Sequence, residues 1–128
     1  MSDQVPLAGL RVLDLSKRAG STAACVRLLA QLGATVRTHD ARRAPPKAAE
    51  LAARADITVL DLRPAESRRL GLDARALLGP GRVVLSATPY GLDGPYAERP
   101  DEIAACGGAD PHVVAALAGA HAAVAALA

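Results

Sequence analysis

Residues 11–38 read Arg11-Val12-Leu13-Asp14-Leu15-Ser16-Lys17-Arg18-Ala19-Gly20, then an Ala- and Leu-rich run from Ser21 to Leu32, then Gly33-Ala34-Thr35-Val36-Arg37-Thr38. The short aliphatic run at Arg11 to Leu15 ends in polar loop residues, which is how a buried strand reads. Ser21 and Thr22 are both good N-caps, and Gly33 is a natural residue just past a helix end, so the segment between them predicts a helix. Thr35 to Thr38 predicts the next strand. Strand, helix and strand in this order form one β-α-β unit, whose second strand must run parallel to the first.

Working outward, the same alternation continues. Lys47 to Arg54 follows Pro45-Pro46 and predicts a second, short helix, because proline is tolerated at a helix start. Ile57 to Asp61 and Val83 to Ala87 predict two more strands. Pro64 to Leu70 and Asp73 to Leu78 predict helical turns between them. No internal repeat or low-complexity linker interrupts the pattern. The reading is α/β: a Rossmann-like parallel sheet of about four strands flanked by helices in three layers, with residues 1–128 as a single domain.

Composition narrows the function classes. The 128 residues include no Phe, no Trp and two Tyr, so the core must be built from Leu, Val, Ile and Ala, which bury less area per residue than aromatics. The net charge of +2 is spread along the chain, without a basic stripe and interleaved aromatics, and predicts no nucleic-acid partner. Cys25 and Cys106 lie far apart among apolar residues, without a CxxC or HxxxH pair; they read as small buried hydrophobes in a reducing compartment, and no metal site is expected. Met1-Ser2-Asp3-Gln4 starts polar and lacks a basic region leading into an apolar stretch, so a cytoplasmic protein is expected.

The run from Val113 to Ala128 is Ala, Val and Leu apart from Gly119 and His121. Its 16 residues reach about 24 Å at helical rise, short of a hydrocarbon core about 30 Å thick, so it predicts a buried helix and no membrane span. Its small, apolar surface also predicts association, as a homo-oligomer or with a partner subunit.

A ligand site follows from the topology alone. In parallel α/β sheets ligands bind at the carboxyl ends of the strands. There the loop Ser16 to Thr22 offers helix N-terminal amides and the two cations Lys17 and Arg18, which suit an anion such as phosphate. A dinucleotide fingerprint is absent, since Gly20 stands without the other glycines of G-x-G-x-x-G; Asp40, twenty residues on, then reads as an ordinary strand-end acid. After the last strand comes Tyr90-Gly91-Leu92-Asp93-Gly94-Pro95-Tyr96, where two glycines permit torsions or close ligand approach that other residues resist.

That loop resembles the Gly-Phe-Gly-x-x-Gly-Pro-Tyr loop of the family III CoA-transferases, the CaiB/BaiF group, with Tyr90 in place of Phe. Three further blocks resemble the same family in the same order. Pro6-Leu7-Ala8-Gly9-Leu10-Arg11-Val12-Leu13-Asp14-Leu15-Ser16 is similar to its opening PLxGxRVLDLS, and Leu28 to Val36 to its LLAxLGAxV passage. Ala55-Asp56-Ile57-Thr58-Val59-Leu60-Asp61-Leu62-Arg63-Pro64 is similar to ADVxVxNFRP, with Asp61 and Leu62 where the family has Asn and Phe.

The resemblance implies acyl-CoA chemistry: transfer of CoA between an acyl-CoA and a carboxylic acid, with coenzyme A or acyl-CoA as a ligand that is not covalently resident. It implies CoA contacts at Lys17, Arg18, Ala19, Gly20, Arg63, Tyr90, Gly91 and Gly94. Family members are much longer, which leaves two readings: a reduced CoA-transferase, and a non-catalytic CoA-binding or scaffolding subunit that pairs with another chain.

The family's nucleophile is an Asp a short way before the Ala-rich helix. Asp110, in Gly107-Gly108-Ala109-Asp110-Pro111, is the candidate here. Aligning Ala118-Gly119-Ala120-His121-Ala122-Ala123-Val124 on the family's AGAxAAV instead puts Ala115 at the nucleophile position. Asp followed by Pro is also a common helix start, with the carboxylate as cap. The racemase branch of the superfamily needs a His within a motif that corresponds here to Glu98-Arg99-Pro100-Asp101-Glu102-Ile103, which contains none.

Overall fold

The computed structural model describes residues 6–16, 21–88, 91–98, 118–119, 121–122 and 125–126. Four short strands make one parallel sheet: β1 (Arg11–Asp14), β2 (Thr35–Thr38), β3 (Ile57–Leu60) and β4 (Val83–Ser86), in the order β2-β1-β3-β4. Val12 lies beside Val36 on one side and Ile57 on the other, and Ile57 lies beside Val83. Each strand begins where expected and ends one residue earlier, apart from β2, which matches at both ends.

The helices fall where the local chemistry puts them. Helix α1 (Ser21–Gln31) ends before Gly33, whose φ of 106° is a conformation that L side chains rarely adopt. Helix α2 (Pro45–Arg54) takes both prolines into its first turn, where their missing N–H groups cost nothing. Helix α3 (Pro64–Leu70) opens on Pro64 and stops at Gly71 in the left-handed region, at φ 71°. Helix α4 (Ala74–Leu77) is capped by Asp73, whose Oδ1 accepts from the Arg75 N–H at 3.0 Å.

Alternation along the strands sends side chains to two separate cores. On one face Val12, Ile57 and Val59 pack with Cys25, Val26 and Leu29 of α1. On the other, Leu13 and Leu60 pack with Ala48, Leu51 and Ala52 of α2 and with Leu72 and Leu77 around α3 and α4. Two faces of helices on one sheet give three layers, as the alternating runs predict.

Ala118, Gly119, His121, Ala122, Ala125 and Ala126 are helical, and all except Gly119 are exposed. A methyl group at Gly119 would lie 3.3 Å from Leu85 Cδ2 and 3.5 Å from Cys25 Sγ, so this stretch packs on the α1 face of the sheet. The expectation of a buried helix therefore fails at the described positions other than Gly119, which are open to solvent in the single chain. Among the described residues no helix is long and apolar enough to cross a membrane.

Cys25 is 2% exposed, and burial pushes its thiol pKa up, with the negative charge of Asp14 adding to the effect. In a Cys106→Ser background, thiol labelling at neutral pH should therefore proceed only as fast as the protein opens. The unfolded chain releases this proton first, so the contribution to stability is intact below about pH 8.5 and lost as pH rises toward the raised folded value. Labelling of native protein at the rate of a free thiol would contradict this placement.

Candidate functional site

The sheet order sets where a ligand can enter. From β1 the chain moves to β2 on one side, and then returns past β1 to β3 and β4 on the other. The switch point is between β1 and β3, and the crevice lies at their carboxyl ends. The loops facing it begin at Leu15-Ser16 and at Asp61-Leu62-Arg63.

At the end of β1, Asp14 accepts the Ser16 N–H at 2.9 Å and also its hydroxyl, which turns the chain sharply as it leaves the sheet. At the end of β3, Asp61 and Leu62 are buried, at 7% and 1% exposure. Arg63 follows in extended conformation at the cap position of α3. The chain thus delivers a guanidinium to the mouth of the crevice.

The glycine loop after β4 folds back over this region. Gly91 and Gly94 have φ of 78° and 100°, which meets the expectation of unusual torsions there. Asp93 pairs with Arg75 of α4 at 3.2 Å. At the loop's far end, the Glu98 carboxylate accepts the Ala65 N–H at 2.9 and 3.3 Å, while Arg63 Nη1 donates to the Glu98 carbonyl at 3.2 Å. The middle of the loop and Glu98, just past it, are therefore tied to the helices that follow β3.

These contacts frame an open hollow of about 320 Å³, lined by Arg63, Ala65, Glu66, Arg69 and Glu98. Glu66 is held from outside by Arg42, whose Nε and Nη2 donate to its two oxygens at 2.6 and 3.1 Å. Arg69 reaches the same carboxylate less closely, at 4.0 Å. Arg63 and Arg69 thus face the hollow beside two carboxylates, one of which, Glu66, is paired from behind by Arg42. No group of three His, Cys, Asp or Glu suited to a metal ion occurs among the described residues.

Of the residues expected to contact CoA, Arg63, Gly91 and Gly94 are described and lie on the loops after β3 and β4. Lys17, Arg18, Ala19, Gly20, Tyr90 and the candidate nucleophile Asp110 lie outside the described residues. Asp40 caps its own turn, accepting the Arg42 N–H at 3.0 Å, as befits a strand-end acid. The sequence reading missed Glu66 and Arg69, although a helix opened by Pro64 puts them three residues apart on one face. It also missed Arg42 and Glu98, which come from elsewhere in the chain.

Solved structures share this architecture. A hypothetical protein of Mycobacterium tuberculosis, Rv3272, superposes with a TM-score of 0.75 at 22% identity, over 97% of this chain and 51% of that one. A CaiB/BaiF family protein from Brucella suis gives 0.76 at 21% identity, over 96% of this chain and 49% of that one. The fold is that of the CaiB/BaiF proteins. The chain spans about half the length of these two structures. No family model and no curated protein matches the sequence.

Proposed function

We propose that this chain is a CoA-transferase-like domain, corresponding to the N-terminal portion of the CaiB/BaiF fold, that binds coenzyme A or an acyl-CoA at the carboxyl edge of its sheet. The observation that carries this reading is the hollow lined by Arg63 and Arg69, which opens where the chain leaves β3, one of the two strands at the switch point. An acyl-CoA is a large polyanion, and guanidinium groups bind phosphate through paired donors. Lys17 and Arg18, in the loop after β1, supply the second group of cations.

A shared fold does not carry an activity with it, and transfer of CoA to a carboxylic acid is the finer part of the proposal. In that reading Asp110 is the nucleophile. The second reading is a non-catalytic CoA-binding or scaffolding subunit that pairs with another chain.

Calorimetric titration with CoA tests the shared core of both readings. The parent should bind, and Lys17→Ala with Arg18→Ala should weaken binding about tenfold, with a shallower dependence on salt. A double variant that binds as the parent does would remove the β1 loop from the site. A parent that does not bind CoA would sink the reading itself.

A further inference from the structure

Of the two carboxylates on the hollow, Glu98 spends both oxygens on the Ala65 N–H. Glu66 is different. It sits three residues before Arg69 on α3, with its Oε1 4.0 Å from the Arg69 Nη2, and could close onto that guanidinium and cancel it. In this structure the pair stays at 4.0 Å, beyond hydrogen-bond reach, because Arg42 has taken both of its oxygens at 2.6 and 3.1 Å. We propose that Arg42 is a positioning residue for this anion site, acting through Glu66 to keep Arg69 free for a phosphate. The inference rests on the reading of the hollow as a phosphate-binding site.

Distance and burial decide the contest between the two arginines. Arg42 and Glu66 are 24% and 21% exposed, whereas Arg69 is 74% exposed. Coulombic attraction scales inversely with both separation and local dielectric, so the shorter and drier pair prevails. The parallel two-bond geometry also fixes the carboxylate plane, which a single long contact cannot do.

The fold supplies Arg42 from a distance of 24 residues, on a turn built to hold it. Asp40 accepts the backbone N–H groups of Arg42 and Arg43, through its side chain at 3.0 Å and its carbonyl at 3.2 Å. Ala41 between them is fully buried and anchors the turn in the core. Arg42 Nη1 is buried with no hydrogen-bond partner among the described residues, a cost borne to bring the guanidinium against Glu66.

The consequence is a change in what Glu66 pairs with. With Arg42 present, Glu66 is paired away from the hollow and the Arg69 charge faces it; without Arg42, Glu66 is released toward Arg69. Loss of Arg42 should therefore lower anion affinity even though Arg42 does not line the hollow itself.

The test is a cycle of variants titrated calorimetrically with inorganic pyrophosphate and, separately, with CoA. Arg42→Gln should weaken pyrophosphate binding about tenfold, and Arg42→Lys, which keeps the charge but not the paired geometry, about threefold. Glu66→Gln should bind at least as tightly as the parent. Arg42→Gln combined with Glu66→Gln should return to the affinity of Glu66→Gln, because an uncharged side chain at position 66 cannot pair with Arg69. A merely structural Arg42 would leave the double variant as weak as Arg42→Gln.

Affinity of Arg42→Gln within twofold of the parent, or a double variant without recovery, overturns the proposal. If Arg42→Gln does not fold, parent-like affinity in Arg42→Lys overturns it instead. A parent that binds pyrophosphate but not CoA ends the CoA reading, while the cycle still decides the role of Arg42. A parent that binds neither ends both.

Discussion

Ile57→Ala is expected to cost about 3 kcal/mol of stability, because deleting a buried branched side chain loses its transfer energy and leaves a cavity. Ile57 is fully buried on the central strand β3, flanked by Val12 and Val83 and packed against α1. The chain has no Phe or Trp that could lean into the gap, and the neighbouring Val side chains are stiff. For a domain whose total stability is about 5–15 kcal/mol, that is a large fraction. Urea unfolding should show a lower midpoint with an unchanged slope. Leu78→Ala, at a side chain 55% exposed, should shift stability by less than about 0.5 kcal/mol. Equal effects at the two positions would mean that β3 is not the centre of the core.

The fold was legible because local and global signals agree at nearly every boundary. Pro64 and Gly71 punctuate α3, Asp73 caps α4, and Gly33 ends α1 at a positive φ, all of which a sequence displays directly. Strand order was less accessible. The β-α-β pattern predicts parallel strands, but that β3 returns to the far side of β1 is a tertiary outcome, settled by α2 packing on the face opposite α1.

The site was legible only in part, for a related reason. Arg63 and the two glycines belong to contiguous segments whose residue types advertise a loop at a strand end. The charge balance at the hollow depends instead on pairs brought together across the fold, Arg42 with Glu66 and Ala65 with Glu98, which lie 24 and 33 residues apart. No local pattern encodes such pairs. Glu98 illustrates the difficulty: in sequence it is one acid in a polar turn, and in space it secures the glycine loop to the first turn of α3.

The largest functional effect should follow from removing the two cations on the hollow itself. Arg63→Ala with Arg69→Ala should reduce affinity for CoA and for pyrophosphate about 100-fold, since each charge-assisted contact contributes about 1.5 kcal/mol and the two act on one ligand. The fold should tolerate the change. Arg69 is 74% exposed, and Arg63 donates to the Glu98 carbonyl at an exposed position, so neither supports the core. The glycine loop keeps its tie through the Ala65 N–H, whose donor is backbone and survives both substitutions. Thermal stability within a few degrees of the parent, together with the loss of binding, would locate the cost in the ligand and not in the protein. Affinity unchanged in this variant would show that the anion is held elsewhere, and would shift the site to the loop after β1.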